Sequence, residues 1–268
     1  MLFVATESQV GPAGEGEAFR GEGKRRFGHQ LKDATLVLAA AVGAALFLRI
    51  VVLEAYRIPS RSMEPSLQAG DFLLVNKLFY APHRGEVVVF RTTGDPGRGE
   101  MTLVKRCLAV PGDSVAMTEG VVWVNGVRAD SPGAETPFDV GPSDLDGIVR
   151  TWAIPRKGNT IHLQESSLST WKGIVLSEGH RVAVSPLGEV LVDGKPATTY
   201  YVEHNHYFVA GDNRSDSYDS RYWGLISEDS IVGKALMVYW SWDESASTHS
   251  ILGRFAAVRW RRIGMLVR

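Results

Sequence analysis

From Ala34 to Leu53 the chain reads ATLVLAAAVGAALFLRIVVL, a run in which only Thr35 and Arg49 are polar. About twenty residues at roughly 1.5 Å each give about 30 Å, the thickness of a bilayer core. The run is apolar around its whole circumference, which a helix half-exposed to water would not be. The pattern therefore predicts one transmembrane helix over 34–53, with Arg49 near enough to its end to reach the headgroups. Ala39-Ala40-Ala41 would suit a signal-peptide cleavage site, but the apolar run continues through Leu48 to Val52, as in an uncleaved anchor. Residues 1–33 are rich in Gly and Glu and lack apolar periodicity, so they are expected to form a flexible tail. Lys24, Arg25, Arg26 and Lys32 precede the span closely, which predicts that the tail is cytoplasmic and that residues 54–268 lie outside the membrane.

Beyond the span, the apolar runs are short and β-branched or aromatic. Phe72–Val75, Glu86–Phe90, Thr102–Ala109, Tyr207–Ala210 and Ile231–Trp240 read as strands. Asn125-Gly126 after Val121–Val124, and Asp193-Gly194 after Glu189–Val192, are hairpin turns by composition. The Pro-, Gly- and Asp-rich stretch from Ser131 to Gly147 falls within a region, about 117–200, that reads as an insertion into the main β core. The expected fold is mostly β: an antiparallel sheet domain with an inserted β-rich subdomain, anchored by one N-terminal transmembrane helix. Further on, Gly253–Ile263 alternates basic with apolar residues, a pattern that fits a membrane-surface contact or a solvated edge.

Composition narrows the function classes. The 29 basic and 30 acidic residues nearly cancel, so net charge recruits neither nucleic acid nor an acidic substrate. The single cysteine, Cys107, excludes an internal disulfide and any multi-cysteine zinc site; a packed core thiol is its expected state. His204 and His206 form an HxH pair without a third ligand in view, so both are expected to face solvent. Asp212, Asn213, Asp216 and Asp219 could form an oxygen cage for calcium, but Arg214 and Arg221 among them can neutralise the carboxylates. No metal and no cofactor is expected.

Candidate chemistry lies in two segments. Pro59 and Pro65 bracket Ser60-Arg61-Ser62-Met63-Glu64 in a restricted loop, and Lys105 sits on the apolar run Leu103–Val110. A serine hydroxyl needs a base before it can attack a carbonyl. Lysine can serve if burial keeps it neutral. Alternation along a strand points Arg106 away from Lys105, and Asp113, after Pro111-Gly112, reads as a turn residue.

Three segments in order carry a resemblance. Ile58-Pro59-Ser60-Arg61-Ser62-Met63-Glu64-Pro65-Ser66-Leu67, then Lys105-Arg106 with Pro111-Gly112-Asp113, then Gly211-Asp212-Asn213-Arg214-Ser215-Asp216-Ser217-Tyr218-Asp219-Ser220-Arg221-Tyr222-Trp223-Gly224 resemble the type I signal peptidase (bacterial leader peptidase) family. The resemblance implies a membrane-bound serine protease that removes signal peptides from exported preproteins. It implies Ser62 as nucleophile, Lys105 as general base and an oxyanion site made by the Ser62 amide and the Ser60 hydroxyl. By position, Ser217 would hydrogen-bond the Lys105 amine, and Asp219 and Arg221 would form a structural ion pair. Cleavage after small residues, in the Ala-x-Ala manner, is expected, with Ile58, Met63, Leu67 and Val104 lining the pockets. Exported preproteins and the lipid bilayer are the expected partners, and nucleic acid is not. Arg61 stands where the family often has glycine, and Ser66 where it often has threonine. A self-cleaving Ser/Lys repressor-type protease shares the dyad logic, but the span and the lack of a DNA-binding module argue against it. Presence of both dyad residues argues against a catalytically inactive membrane-anchored β scaffold.

Overall fold

The computed structural model describes residues 35–44, 52–78, 80–92, 101–118, 121–129, 150–243, 246 and 251–268. Contacts divide the chain into two units, residues 1–51 and 52–268. In the first, residues 35–44 are helical and exposed. Residues 1–34 and 45–51, which hold the predicted tail and most of the second half of the predicted span, lie outside the described residues, as does the Pro-, Gly- and Asp-rich stretch 131–147. Among the described residues no helix is long and apolar enough to cross a membrane. Leu53, the last residue of the predicted span, instead opens a strand.

The second unit is built on an antiparallel sheet of eight strands. Its order is Leu53–Arg57, Asp71–Asn76, Ile231–Ser241, Val87–Thr92, Met101–Ala109, His206–Ala210 and Ile226–Ser227, with Met265–Leu266 added against Ile231–Ser241. All five strands expected from the sequence are present, most of them one residue longer at an end. The run Val87-Val88-Val89-Phe90 is apolar without alternation because both faces of this central strand are covered. Val87 and Val89 join Ile58, Met63, Leu67, Leu73, Val75, Ala235 and Val238 in one core cluster. Val88 and Phe90 pack with Cys107, Tyr207, Val209 and Ile226 in another.

Met101–Ala109 pairs directly with His206–Ala210, so everything between them is an excursion from the sheet. That excursion holds a four-stranded sheet with Ser114–Thr118 at its centre, smaller two- and three-stranded sheets, and the helix Leu168–Ser177. Both expected hairpins occur, and their turns need residues tolerant of positive φ: Asn125 and Gly126 at 52° and 79°, Asp193 and Gly194 at 49° and 78°.

The expectation that both histidines face solvent fails for His206, whereas His204 is half-buried. His206 is fully buried; its Nδ1 donates to the His204 carbonyl at 3.0 Å and its Nε2 lies 3.3 Å from the Ser177 hydroxyl. Every residue of His206–Ala210 is buried, so alternation along that strand exposes neither face.

Candidate active site

The Ser62 loop leaves the strand Leu53–Arg57 and returns to Asp71–Asn76, and its base is closed by backbone hydrogen bonds. Ile58 N–H donates to the Asp71 carbonyl and Gly70 N–H to that of Ile58, each at 2.8 Å. Met63 and Leu67 drop their side chains into the core and pin the loop from below. This leaves Ser60 and Ser62 above the sheet, with their hydroxyl oxygens 3.2 Å apart.

Lys105 approaches from the strand Met101–Ala109, and its Nζ lies 2.6 Å from Ser62 Oγ. It is 4% exposed. Burial holds its pKa below the usual lysine range; Asp219 opposes that shift and Arg221 adds to it. Once the amine is neutral, a contact of this length lets the proton of Ser62 pass to Nζ. Among the described residues the Ser62 amide donates to no acceptor, leaving it available to a developing oxyanion beside the Ser60 hydroxyl.

The third segment supports the Ser62 loop as well as the lysine's surroundings. Asn213 N–H donates to the Ser62 carbonyl at 3.0 Å, and Asn213 Nδ2 to that of Arg61 at 3.2 Å. Asp219 is fully buried and accepts from Arg221 Nε at 2.7 Å, from the Gly211 amide at 2.9 Å and from the Ser217 hydroxyl at 2.7 Å. The ion pair Asp219–Arg221 thus stands as the sequence suggested. Ser217 differs: its hydroxyl donates to Asp219 in place of meeting the Lys105 amine. Donation to a carboxylate two residues away fixes the rotamer of that hydroxyl. Gly211 lies where an added Cβ would meet the Ser217 hydroxyl and the Ser62 carbonyl well inside contact distance, so the backbone there needs glycine.

A cleft opens beside the two hydroxyls, lined by Tyr56, Ile58, Pro59, Met63, Leu103 and Val104 together with Ser60, Ser62 and Lys105. Ile58, Met63 and Val104 border this cleft, although the side chains of Ile58 and Met63 belong mainly to the core beneath the loop. Leu67 does not border it: it is wholly buried in the core beneath the loop, because the turn that follows Met63 brings its N–H back to the Met63 carbonyl at 2.8 Å and rotates its side chain inward. Arg61 points to solvent, its side chain 72% exposed and paired with Glu64 at 3.1 Å.

Sequence reasoning missed the partner of Arg106. Lying on the opposite face of its strand from Lys105, Arg106 is buried and pairs with Asp212, Nε to Oδ1 at 2.7 Å and Nη2 to Oδ2 at 2.6 Å. The carboxylates that could have formed a calcium cage are thus committed: Asp212 to Arg106, Asp219 to Arg221, while Asp216 is exposed. Cys107 is fully buried and burial pushes its thiol up to about 12, as a packed core residue. Asp113 closes its turn by accepting from the Val110 amide at 2.9 Å and also holds Arg84. Among the described residues the one His and carboxylate grouping that could hold an ion is His204, Glu228 and Asp229, away from the cleft. Within it, His204 Nε2 lies 3.1 Å from an Asp229 carboxylate oxygen.

Residues 31–240 match the family model described as "Signal peptidase, peptidase S26". A "Signal peptidase I" of Pseudomonas fluorescens is 31% identical over 230 residues, spanning 76% of this chain and 70% of that one. One from Aquifex aeolicus is 31% identical over 230 residues, spanning 81% and 87%. That of Pseudomonas aeruginosa is 30% identical over 226 residues, spanning 74% and 69%.

Proposed function

Because this chain belongs to the peptidase S26 signal peptidases and is a serine endopeptidase, we propose that it removes signal peptides from exported preproteins with Ser62 as nucleophile and Lys105 as general base. The observation that carries this reading is the buried Lys105 amine 2.6 Å from the Ser62 hydroxyl. Neutral Lys105 takes the Ser62 proton as Oγ attacks the scissile carbonyl, and the ammonium so formed protonates the leaving amine. The developing oxyanion is held by the Ser62 amide and the Ser60 hydroxyl. Water then hydrolyses the ester on Ser62, with Lys105 accepting its proton. The Asp219, Arg221 and Ser217 network fixes the charges that act on the Lys105 amine.

Specificity follows from the cleft. Ile58, Met63 and Val104 offer apolar walls close to the nucleophile, which favours Ala, Gly or Ser before the cut and excludes bulky residues. Anchoring is part of the same proposal: the apolar run that begins at Ala34 spans the membrane ahead of the strand that opens at Leu53, residues 1–33 stay in the cytoplasm, and the unit that follows works on the outer side, at the bilayer through which preproteins emerge. The apolar run and the preceding Lys24, Arg25, Arg26 and Lys32 support this topology.

The test is processing of a preprotein bearing an Ala-x-Ala site by the detergent-solubilised protein, with the new N-terminus sequenced. Cleavage after the second Ala is expected, with Phe there nearly abolishing it. Equal cleavage of the Ala and Phe substrates would refute the pocket assignment.

A further inference from the structure

The Ser62 loop is held from outside its own sequence. Asp71, at the foot of the loop, is fully buried. Its carboxylate accepts from the Gln68 amide at 2.8 Å, from the Ser241 hydroxyl at 2.7 Å and from Arg262 Nε at 2.9 Å. Arg262 lies 191 residues further along the chain. The other arm of its guanidinium, Nη2, also donates to the Ser66 carbonyl at 3.0 Å, inside the loop itself. Beside it, Arg259 Nη1 donates to the Ala69 carbonyl at 2.9 Å. The same segment reaches the strand that carries the lysine: a backbone oxygen of Arg268 accepts from Arg106 Nη1 at 2.8 Å. Arg106 is the immediate neighbour of Lys105, and its Nη2 also lies 3.4 Å from the Ser66 hydroxyl.

We infer that the segment Arg259–Arg268 is a clamp that sets the distance between Ser62 and Lys105, with Arg262 as its principal positioning residue. The inference rests on the dyad reading above. The basic residues of this stretch that alternate with apolar ones were candidates for a lipid-facing or solvated surface, but Arg259 and Arg262 are turned toward the loop. A planar guanidinium suits this role because one group satisfies two directions at once, the Asp71 carboxylate and the Ser66 carbonyl. An ammonium retains the charge and loses the fork. Proton transfer between Nζ and Oγ tolerates little displacement, since about 1 Å of misplacement can cost on the order of 10²-fold in rate.

The experiment compares wild type, Arg262→Lys, Arg262→Gln and Ser62→Ala as full-length proteins in detergent. The substrate is an internally quenched peptide spanning an Ala-x-Ala site. Rates are taken at a temperature where circular dichroism shows each variant folded. Arg262 does not line the cleft, so the clamp predicts a fall in kcat of about 10- to 100-fold for Arg262→Gln with KM nearly unchanged. A smaller fall is expected for Arg262→Lys. A residue that merely stabilises the fold would lower the melting temperature and leave kcat of the folded enzyme intact. Should Arg262→Gln fail to fold, Arg262→Lys decides by the same split. Wild-type kcat in a folded Arg262 variant, beside a dead Ser62→Ala, would overturn the clamp alone. Turnover by Ser62→Ala would remove the dyad reading and the clamp with it.

Discussion

Lys105 is the group whose titration should govern the enzyme's pH dependence. A solvent-exposed lysine amine, with its ordinary pKa near 10.4, is neutral in about four molecules per ten thousand at pH 7, equivalent to a penalty of roughly 4.6 kcal/mol for using it as a base. Lys105 is 4% exposed, and burial is the largest cause of its lowered pKa. Each unit of lowering recovers a factor of ten, or about 1.4 kcal/mol. For a peptide with no titrating side chain, kcat/KM should climb about tenfold per pH unit and level off below about pH 10.4. Lys105→Met keeps the apolar stem and removes the base, so its rate should fall by about 10²- to 10⁴-fold and lose this titration. Stability carries the same signature with a definite sign. Between the folded and unfolded pKa values the unfolded chain binds one more proton at this position, so wild-type stability should rise with pH across that window. Below the folded pKa the full cost of a buried ammonium is present. Lys105→Met should therefore be the more stable protein at neutral pH and lack that rise. Stopped-flow hydrolysis and chemical denaturation across about pH 5–10 measure both. A wild-type profile that rises only near the ordinary lysine pKa, or Lys105→Met turning over at a substantial fraction of the wild-type rate, would rule out Lys105 as the base.

Three further outcomes follow from the site's geometry. Gly211→Ala should cost at least about tenfold in kcat, because its Cβ would collide with the Ser62 carbonyl and the Ser217 hydroxyl; unchanged kinetics would mean the loop yields freely. Ser60→Ala should lower kcat by about 10²-fold with little change in KM, as for loss of one oxyanion donor, and a rise in KM at constant kcat would place Ser60 in ground-state binding instead. Arg61→Gly should shift stability by less than about 1 kcal/mol in denaturant unfolding, since the Arg61–Glu64 pair is exposed; a larger loss would reveal a contact beyond that pair.

What the sequence alone reveals depends on the range of each interaction. The strands and both hairpin turns are legible because β-branched runs and Asn-Gly or Asp-Gly pairs act over a few residues. Ser62 and Lys105 are legible through three ordered segments, and the structure brings those segments together. What escapes depends on distant partners or on crowding. Alternation suggests a solvent face for His206, but the strand it opens is covered on both sides. Leu67 looks like a pocket residue from its proximity to Ser62, yet one turn of backbone sends it into the core. Family resemblance pairs Ser217 with Lys105, whereas in the structure its hydroxyl donates to the Asp219 carboxylate. Neither Arg106–Asp212 nor Arg262–Asp71 has any local signature, since their partners lie 106 and 191 residues away.

Catalysis by Ser62 requires an ester on its hydroxyl, and that ester can be looked for directly. Wild-type protein mixed with a preprotein peptide, quenched in acid within milliseconds and digested for mass spectrometry, should carry the acyl group of the signal-peptide side on the peptide containing Ser62. Lys105→Met should carry none on the same time scale. An acyl group on any other residue, or undiminished acylation in Lys105→Met, would contradict the Ser62–Lys105 mechanism.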